Sequence, residues 1–327
     1  MDSDIGVEAG IIVVPDSLLK LNHRIPKIVY SYMEIQRLRY FVALVRERSF
    51  SKAATAMRVT QPTLSQQIAL LERELGVVLV RRLRGGVTPT TAGRDFLKRA
   101  TTVLAELDYA TQEAAAHAGR LKGVLRLGAI PTVAPYVLPD LVAAFAKAHP
   151  GVALEAREAV TERLEQLLQS GEIDGALVAL PIRTDHLRRV VLREEKLLVA
   201  VPKGHAALAA GVMNWKHVGN EPWLMLEESH CLGQQTRALC ESRGVAPRVA
   251  LRGTQLPTLL GMVERRLGVA VVPEMAAESL PDGVELVPFS GKSPVRTVAL
   301  VMREDAYDAS PALKTFAGFV KAYAKGE

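Results

Sequence analysis

The sequence predicts a multidomain chain of mixed α+β and α/β class. It places a winged helix-turn-helix at the N-terminal end, then a long linker helix, then a larger α/β region. Three observations carry this reading. Apolar positions over residues 35–76 recur at helical spacing in three short runs separated by tight turns. A hairpin pattern centred on Gly85-Gly86 comes next. From residue 123 onward, strand-like and helix-like segments alternate, the rhythm of a parallel sheet covered by helices.

Residues 1–32 show no period and read as a disordered extension outside the pattern. The regular pattern begins at Met33, which is expected to be the natural start. From Ile35, the positions Leu38, Phe41, Val42 and Val45 predict a first helix. Ser51 is expected to cap a second, with Ala53, Ala54 and Met57 inward, and Arg58-Val59 to make the turn. Thr60 caps the third, where Pro62 lacks only an N–H that no helix would use. Its core stripe is Leu64, Ile68, Leu71 and Leu75, and Gly76 ends it. Gln61, Thr63, Ser65, Gln66 and Gln67 are left on the outer face, side chains of the kind that meet base edges and phosphates in a major groove.

Two short strands, 78–82 and 87–90, predict a wing whose Arg81, Arg82 and Arg84 suit phosphate or minor-groove contact. With Ser51, Thr60, Gln61, Pro62, Thr63, Ser65 and Gln66, these arginines are the candidate DNA contacts. Thr91 is expected to cap a helix reaching about His117. Along it Phe96, Ala100, Val103, Leu107, Ala110 and Ala114 make a near-heptad seam on a helix outside any core, which predicts pairing with a second copy.

The α/β region reads as strand 124–129, a helix to about 148, strand 152–156, helix 161–170 and strand 175–179. Strand 197–201 opens a second group with 223–226, 250–252 and 269–272, and strand 297–301 precedes a final helix over 311–323.

Composition bounds the function. The chain has 327 residues, enough for two or three domains, with an ordinary 49% apolar and 23% charged content. No apolar run reaches the ~18 residues of a membrane helix, and the run Ile11 to Val14 is stopped by Pro15 and Asp16. Two cysteines exclude a disulfide scaffold and fit a reducing compartment, so a cytoplasmic protein without membrane partners is expected. Over residues 33–95 there are eleven Lys and Arg against five acidic residues, an excess equal to the whole net charge of +6. A basic N-terminal domain on a neutral remainder is the footprint of a nucleic-acid reader. No His/Cys cluster with zinc spacing and no Gly-rich nucleotide loop occurs, so neither metal nor cofactor is expected.

Both cysteines lie in one stretch, Cys231 and Cys240, nine residues apart. The run from Gln234 to Cys240 favours helix. If one helix carried both, they would stand about 13 Å apart on opposite faces. A disulfide needs Cα atoms within about 7 Å. Bridging them therefore requires unwinding, eased by Gly233. His230 and Arg237 offer positive charge that would lower the Cys231 pKa. The alternative is that both thiols are small core hydrophobes.

The motif from Phe50 (FSKAATAMRVTQPTLSQQIALLERELG) to Gly76, followed by Pro89-Thr-Thr-Ala-Gly93, strongly resembles the N-terminal signature of LysR-type transcriptional regulators. The resemblance runs from about residue 33 to the C-terminus. It implies a helix-turn-helix domain over 33–92, a linker and dimerisation helix over 93–120, and a regulatory domain over 121–327. That domain would be two-lobed and like a periplasmic binding protein, with lobe I at about 121–194 and 297–327 and lobe II at about 195–296. Ligands of such sheets sit beyond the carboxyl ends of the strands, which puts Thr132 and Thr161 on the cleft.

The stretches His230 to Cys240 and Ile130 to Pro139 resemble the peroxide-sensing members of that family. This resemblance implies that Cys231 is the peroxidatic thiol and Cys240 the resolving one. It implies that Thr132, Thr161 and His230 hydrogen-bond hydrogen peroxide and that Arg296 stabilises the thiolate. Gly233 and Gln234 depart from a charged Arg-Asp pair found in a relative. The implied partners are double-stranded promoter DNA, further copies of the chain in a dimer of dimers, RNA polymerase, and a thiol reductant such as glutaredoxin or thioredoxin. Two other readings stand beside this one: a regulator answering a small organic effector with incidental cysteines, and a thiol peroxidase. The absence of a Cys-x-x-Cys motif speaks against the peroxidase, so the chain is not expected to be an enzyme.

Overall fold

A computed structural model describes residues 33–325 of the chain; the expected extension over 1–32 lies outside the described residues. Helices α1 (Ile35–Glu47), α2 (Phe50–Ala56) and α3 (Gln61–Leu75) each bury one stripe, and Phe41, Leu44, Ala53, Leu64, Ile68 and Leu71 share a core. Leu79 and Val87 close that core beside the wing, whose strands are β1 (Val80–Leu83) and β2 (Gly86–Pro89).

Three local expectations shift by a residue or two. Ser49, not Ser51, caps α2: its backbone is extended and its side chain accepts from Lys52 N, while Ser51 lies inside the helix. In the wing Leu83 pairs with Gly86, so Arg84-Gly85 forms the turn. Thr90, not Thr91, caps the linker helix α4 (Thr91–His117). The Thr90 hydroxyl donates to Val78 O at 2.7 Å and accepts from Gly93 N at 2.9 Å. Gly93 is obligatory here, because an added Cβ would lie 2.0 Å from Leu79 O.

The C-terminal α/β region contains β3 (Gly123–Ala129), α5 (Ala134–Ala148), β4 (Val152–Glu158), α6 (Thr161–Gln169), β5 (Gly175–Ala179) and β6 (Leu187–Pro202). After them come α7 (Ala206–Ala210), α8 (Trp215–Val218), β7 (Pro222–Leu226), α9 (Cys231–Ser242), β8 (Arg248–Gly253), α10 (Leu256–Glu264) and β9 (Ala270–Pro273). A 3₁₀ turn (Glu274–Ser279), β10 (Val284–Val287), β11 (Val295–Arg303), α11 (Glu304–Ala309) and α12 (Pro311–Tyr323) complete it.

Two cores divide this region. The first gathers β3, β5, α5 and α12 around Leu125, Phe145, Leu177 and Phe316; the second gathers β7, β9 and α10 around Trp223, Leu260 and Val272. Strand β6 joins them. Its first part pairs with β11 from Leu187 to Lys196, and its continuation pairs with β9 and β10 from Leu197 to Pro202. It therefore begins ten residues before the expected strand, because its opening Leu187-Arg-Arg-Val-Val mixes inward and outward positions without a clean alternation.

The linker helix is not outside any core. Ala105 and Tyr109 enter the first core, and Gln112 is buried as well. Tyr109 donates to Asp174 Oδ1 at 2.7 Å, and Ser310 donates to Gln112 Oε1 at 2.7 Å. Burial pushes the Tyr109 and Asp174 pKa values upward, with the neighbouring Asp174 adding to the Tyr109 shift. The other side of α4 stays open: Val103 is 50% exposed, and Ala110 and Ala114 are exposed.

Candidate functional site

Two strands and three helix starts meet at the junction of the two cores. Cys231 is the first residue of α9, preceded by His230 in extended conformation. Thr132 lies just after β3, and Thr161 is the first residue of α6. Neither threonine is a helix cap, since Val133 and Val160 hold the cap positions. Arg296, on β11, pairs in register with Glu195 of β6.

Arg296 is the organising cation. Both its side chain and that of Glu195 are fully buried. Its Nε donates to Glu195 Oε1 at 2.8 Å, Nη1 to Thr132 Oγ1 at 2.9 Å and Nη2 to Thr132 O at 3.0 Å. Glu195 Oε2 is taken by Met275 N at 3.0 Å, so the ion pair is satisfied from both ends. Because Thr132 Oγ1 accepts from Arg296, its own proton is directed elsewhere, and it faces the Cys231 sulfur.

Burial pushes the Cys231 thiol above the ordinary range. Arg296, the Thr132 and Thr161 hydroxyls and the Leu232 N–H oppose that shift by favouring the thiolate. Thr161 Oγ1 is buried and otherwise unpaired. The balance corrects the expectation that His230 and Arg237 lower the thiol pKa. Burial lowers the His230 pKa and keeps the imidazole neutral near pH 7. Arg237 is exposed and bound to Glu228 at 2.9 Å and Glu241 at 2.8 Å.

Cys231 is partly buried against the first core, whereas Cys240 is 3% exposed within the second. Both are free thiols. They lie in one uninterrupted helix, so nine residues separate them by about 13 Å along its axis, with their side chains on opposite sides. The helix starts at Cys231 itself and includes Gly233, earlier than the expected run from Gln234. Gly233 serves close packing: an added Cβ would lie 2.5 Å from Glu227 O.

Sequence reasoning missed Gln235. It sits one helical turn after Cys231, and its Nε2 donates to Leu180 O at 3.3 Å while its Oε1 is buried and unpaired. Its four-residue spacing from Cys231 is the signal that could have found it. The cleft beside the thiol, bounded by Thr161, Pro181, Glu228, Ser229 and Gln234, has a volume of about 120 Å³.

At the other end of the molecule, Gln61, Pro62, Thr63 and Gln66 are exposed on α3, with Thr60 and Ser51 exposed beside them. Arg82 donates to Ser65 Oγ at 3.0 Å and lies over the Phe50 ring, bracing wing against helix, while Arg81 and Arg84 are exposed. Gln67 is occupied by Arg37 Nε at 3.0 Å and is part of the α1–α3 contact. Among the described residues no group of acidic, His or Cys side chains could hold a metal, and no helix is long and apolar enough to cross a membrane.

Comparison with known proteins agrees at both ends of the chain. A bacterial regulatory helix-turn-helix model of the lysR family matches residues 35–94, and a LysR substrate binding domain model matches residues 118–325. The chain is 38% identical to a probable hydrogen peroxide-inducible genes activator of Mycobacterium avium, over 83% of this chain and 88% of that protein. A full-length OxyR Cys-to-Asp variant from Pseudomonas aeruginosa superposes with a TM-score of 0.73 at 31% identity, covering 89% of this chain and 95% of that one. A hydrogen peroxide-bound Cys-to-Ser mutant of Corynebacterium glutamicum OxyR gives a TM-score of 0.60 at 28% identity, covering 90% and 92%.

Proposed function

The chain belongs to the LysR family of helix-turn-helix transcriptional regulators and is OxyR-like within it, and from that premise we propose that it senses hydrogen peroxide through Cys231 and Cys240. The observation that carries this is the placement of one thiol among Thr132, Thr161 and Arg296, and of the other in a different core on the same helix.

In this reading the Cys231 thiolate attacks one peroxide oxygen. An S–O bond forms, the O–O bond breaks, and the departing hydroxide takes up the thiol proton as water. Cys240 then attacks the sulfenic sulfur, and the sulfenic hydroxyl leaves with the Cys240 proton as a second water. Two thiols thus supply the two electrons that reduce one peroxide. Thr132 and Thr161 orient the peroxide, His230, next to Cys231 in the chain and with its pKa lowered by burial, supplies a further hydrogen-bonding group, and the unpaired Gln235 Oε1 offers another acceptor. A thiol reductant such as glutaredoxin or thioredoxin resets the pair.

Because the disulfide cannot form while α9 is intact, oxidation melts that helix and changes how sensor domains pack. Promoter DNA would be read by Gln61, Thr63, Ser65 and Gln66 with Arg81, Arg82 and Arg84, and the open side of α4 would pair with a second copy within a tetramer. Contact with RNA polymerase would depend on that assembly. An organic effector in the cleft is the weaker reading: about 120 Å³ falls below the ~300–1,000 Å³ of small-molecule sites.

The test is non-reducing peptide mass spectrometry after sub-stoichiometric peroxide, on the wild type and Cys231→Ser. Rapid appearance of a Cys231–Cys240 linked peptide in the wild type alone supports the mechanism. Slow or mixed pairing, at the rate of ordinary exposed thiols, sinks it.

A further inference from the structure

A second cavity, about 420 Å³, opens where the DNA-reading domain, the linker helix and the sensor meet. Its lining combines the apolar Val42, Val45, Leu97 and Leu104 with Arg46, Arg48, Arg126, Arg157 and Arg163. The two acids in its wall, Asp108 and Glu172, are already bound to Arg126 at 3.2 Å and Arg157 at 3.7 Å. Arg46, Arg48 and Arg163 form no ion pair among the described residues; Arg163 donates only to Gln166 Oε1, at 3.2 Å. Next to the wall residue Gly171, Arg303 has a buried Nη2 without a hydrogen-bond partner.

An excess of three exposed guanidiniums beside a partly apolar space makes a local positive field that attracts an anion. The volume lies within the range of small-molecule sites, and guanidiniums match carboxylates in planar, bidentate fashion. A bare inorganic anion would leave the four apolar side chains wetted. We propose that this cavity binds an organic carboxylate with an apolar body, held between the reading domain and the sensor. This site stands apart from the thiol chemistry.

Its position gives the ligand a role. It would touch α1, α4, β3, β4 and α6 at once, and it would abut the Asp108–Arg126 pair that ties linker to sensor. Occupancy fixes the reading domain against the sensor, providing an input on DNA binding separate from the redox state of Cys231.

Calorimetric titration of the full chain with decanoate, and separately with inorganic phosphate, tests this. The wild type and Cys231→Ser are expected to bind decanoate at one site per chain with equal affinity. Arg46→Gln/Arg163→Gln, both at exposed positions, is expected to bind at least tenfold more weakly with an unchanged thermal melt. Absence of saturable decanoate binding, an unchanged affinity in that variant, or phosphate binding as tight as decanoate would each overturn the proposal. Should the double variant melt early, Val45→Asp supplies the second reading: it must weaken decanoate binding by a similar factor, and unchanged binding counts against the site.

Discussion

Replacing Arg296 with alanine leaves the Glu195 carboxylate buried without its cation and removes both bonds that fix Thr132. Losing one partner of a buried pair costs about 3–5 kcal/mol, so urea unfolding of Arg296→Ala is expected to show a loss of that order. Adding Glu195→Ala should cost less than the two single losses together, and strict additivity would refute the coupling. The thiol itself gives a pH signature. Its pKa is raised chiefly by burial, so between pH 7 and 8.5 the thiolate remains a minority form. Iodoacetamide labelling of Cys231 is then expected to rise about tenfold per pH unit without a plateau over that interval. A plateau below pH 8 would mean that Arg296 and the hydroxyls outweigh burial.

At the scale of single elements, α9 is the one that must fail for the disulfide to form. Amide exchange in 231–242 is expected to be slow in the reduced protein and to speed up at least tenfold after peroxide, with β6 unchanged. Unaltered protection in oxidised protein would show that the helix survives. Much of the element order is legible in the residues alone: α3 and its Thr60 cap come from the Leu64, Ile68, Leu71 stripe, and α12 runs from Pro311 to Tyr323 as its pattern predicts. The illegible parts have physical reasons. Ser49 and Ser51 offer equal capping chemistry, and only tertiary packing of Ala53 and Ala54 decides between them. Short α7 and α8 carry too few turns to show a period, and α10 hides behind Pro257 and Gly261. At the site, residue types point to Cys231, but Arg296, sixty-five positions away in sequence, comes only from the family resemblance, because nothing in spacing ties it to the thiol, while nearby Arg237 turns to solvent.

For the whole molecule, the proposed redox signal at Cys231 would have to cross the contact between linker helix and α/β region to reach the DNA-reading end. Tyr109→Phe removes the hydroxyl bonded to Asp174 and leaves a buried carboxyl short of one donor, a change of about 1–3 kcal/mol. Such a variant is expected to keep its rate of disulfide formation while the oxidised and reduced footprints on promoter DNA become more alike. Footprints as distinct as those of the wild type would show that the signal takes another route. At the same scale, β6 is a single strand with partners in both cores, so neither half of the sensor can be made alone. A polypeptide ending near residue 194 would leave β5 and the first part of β6 without β11, and one starting there would leave β11 without β5 and most of β6. Expressed as separate fragments, the halves should aggregate singly and become soluble only when co-expressed, since each displays an unsatisfied sheet edge that the other was built to cover.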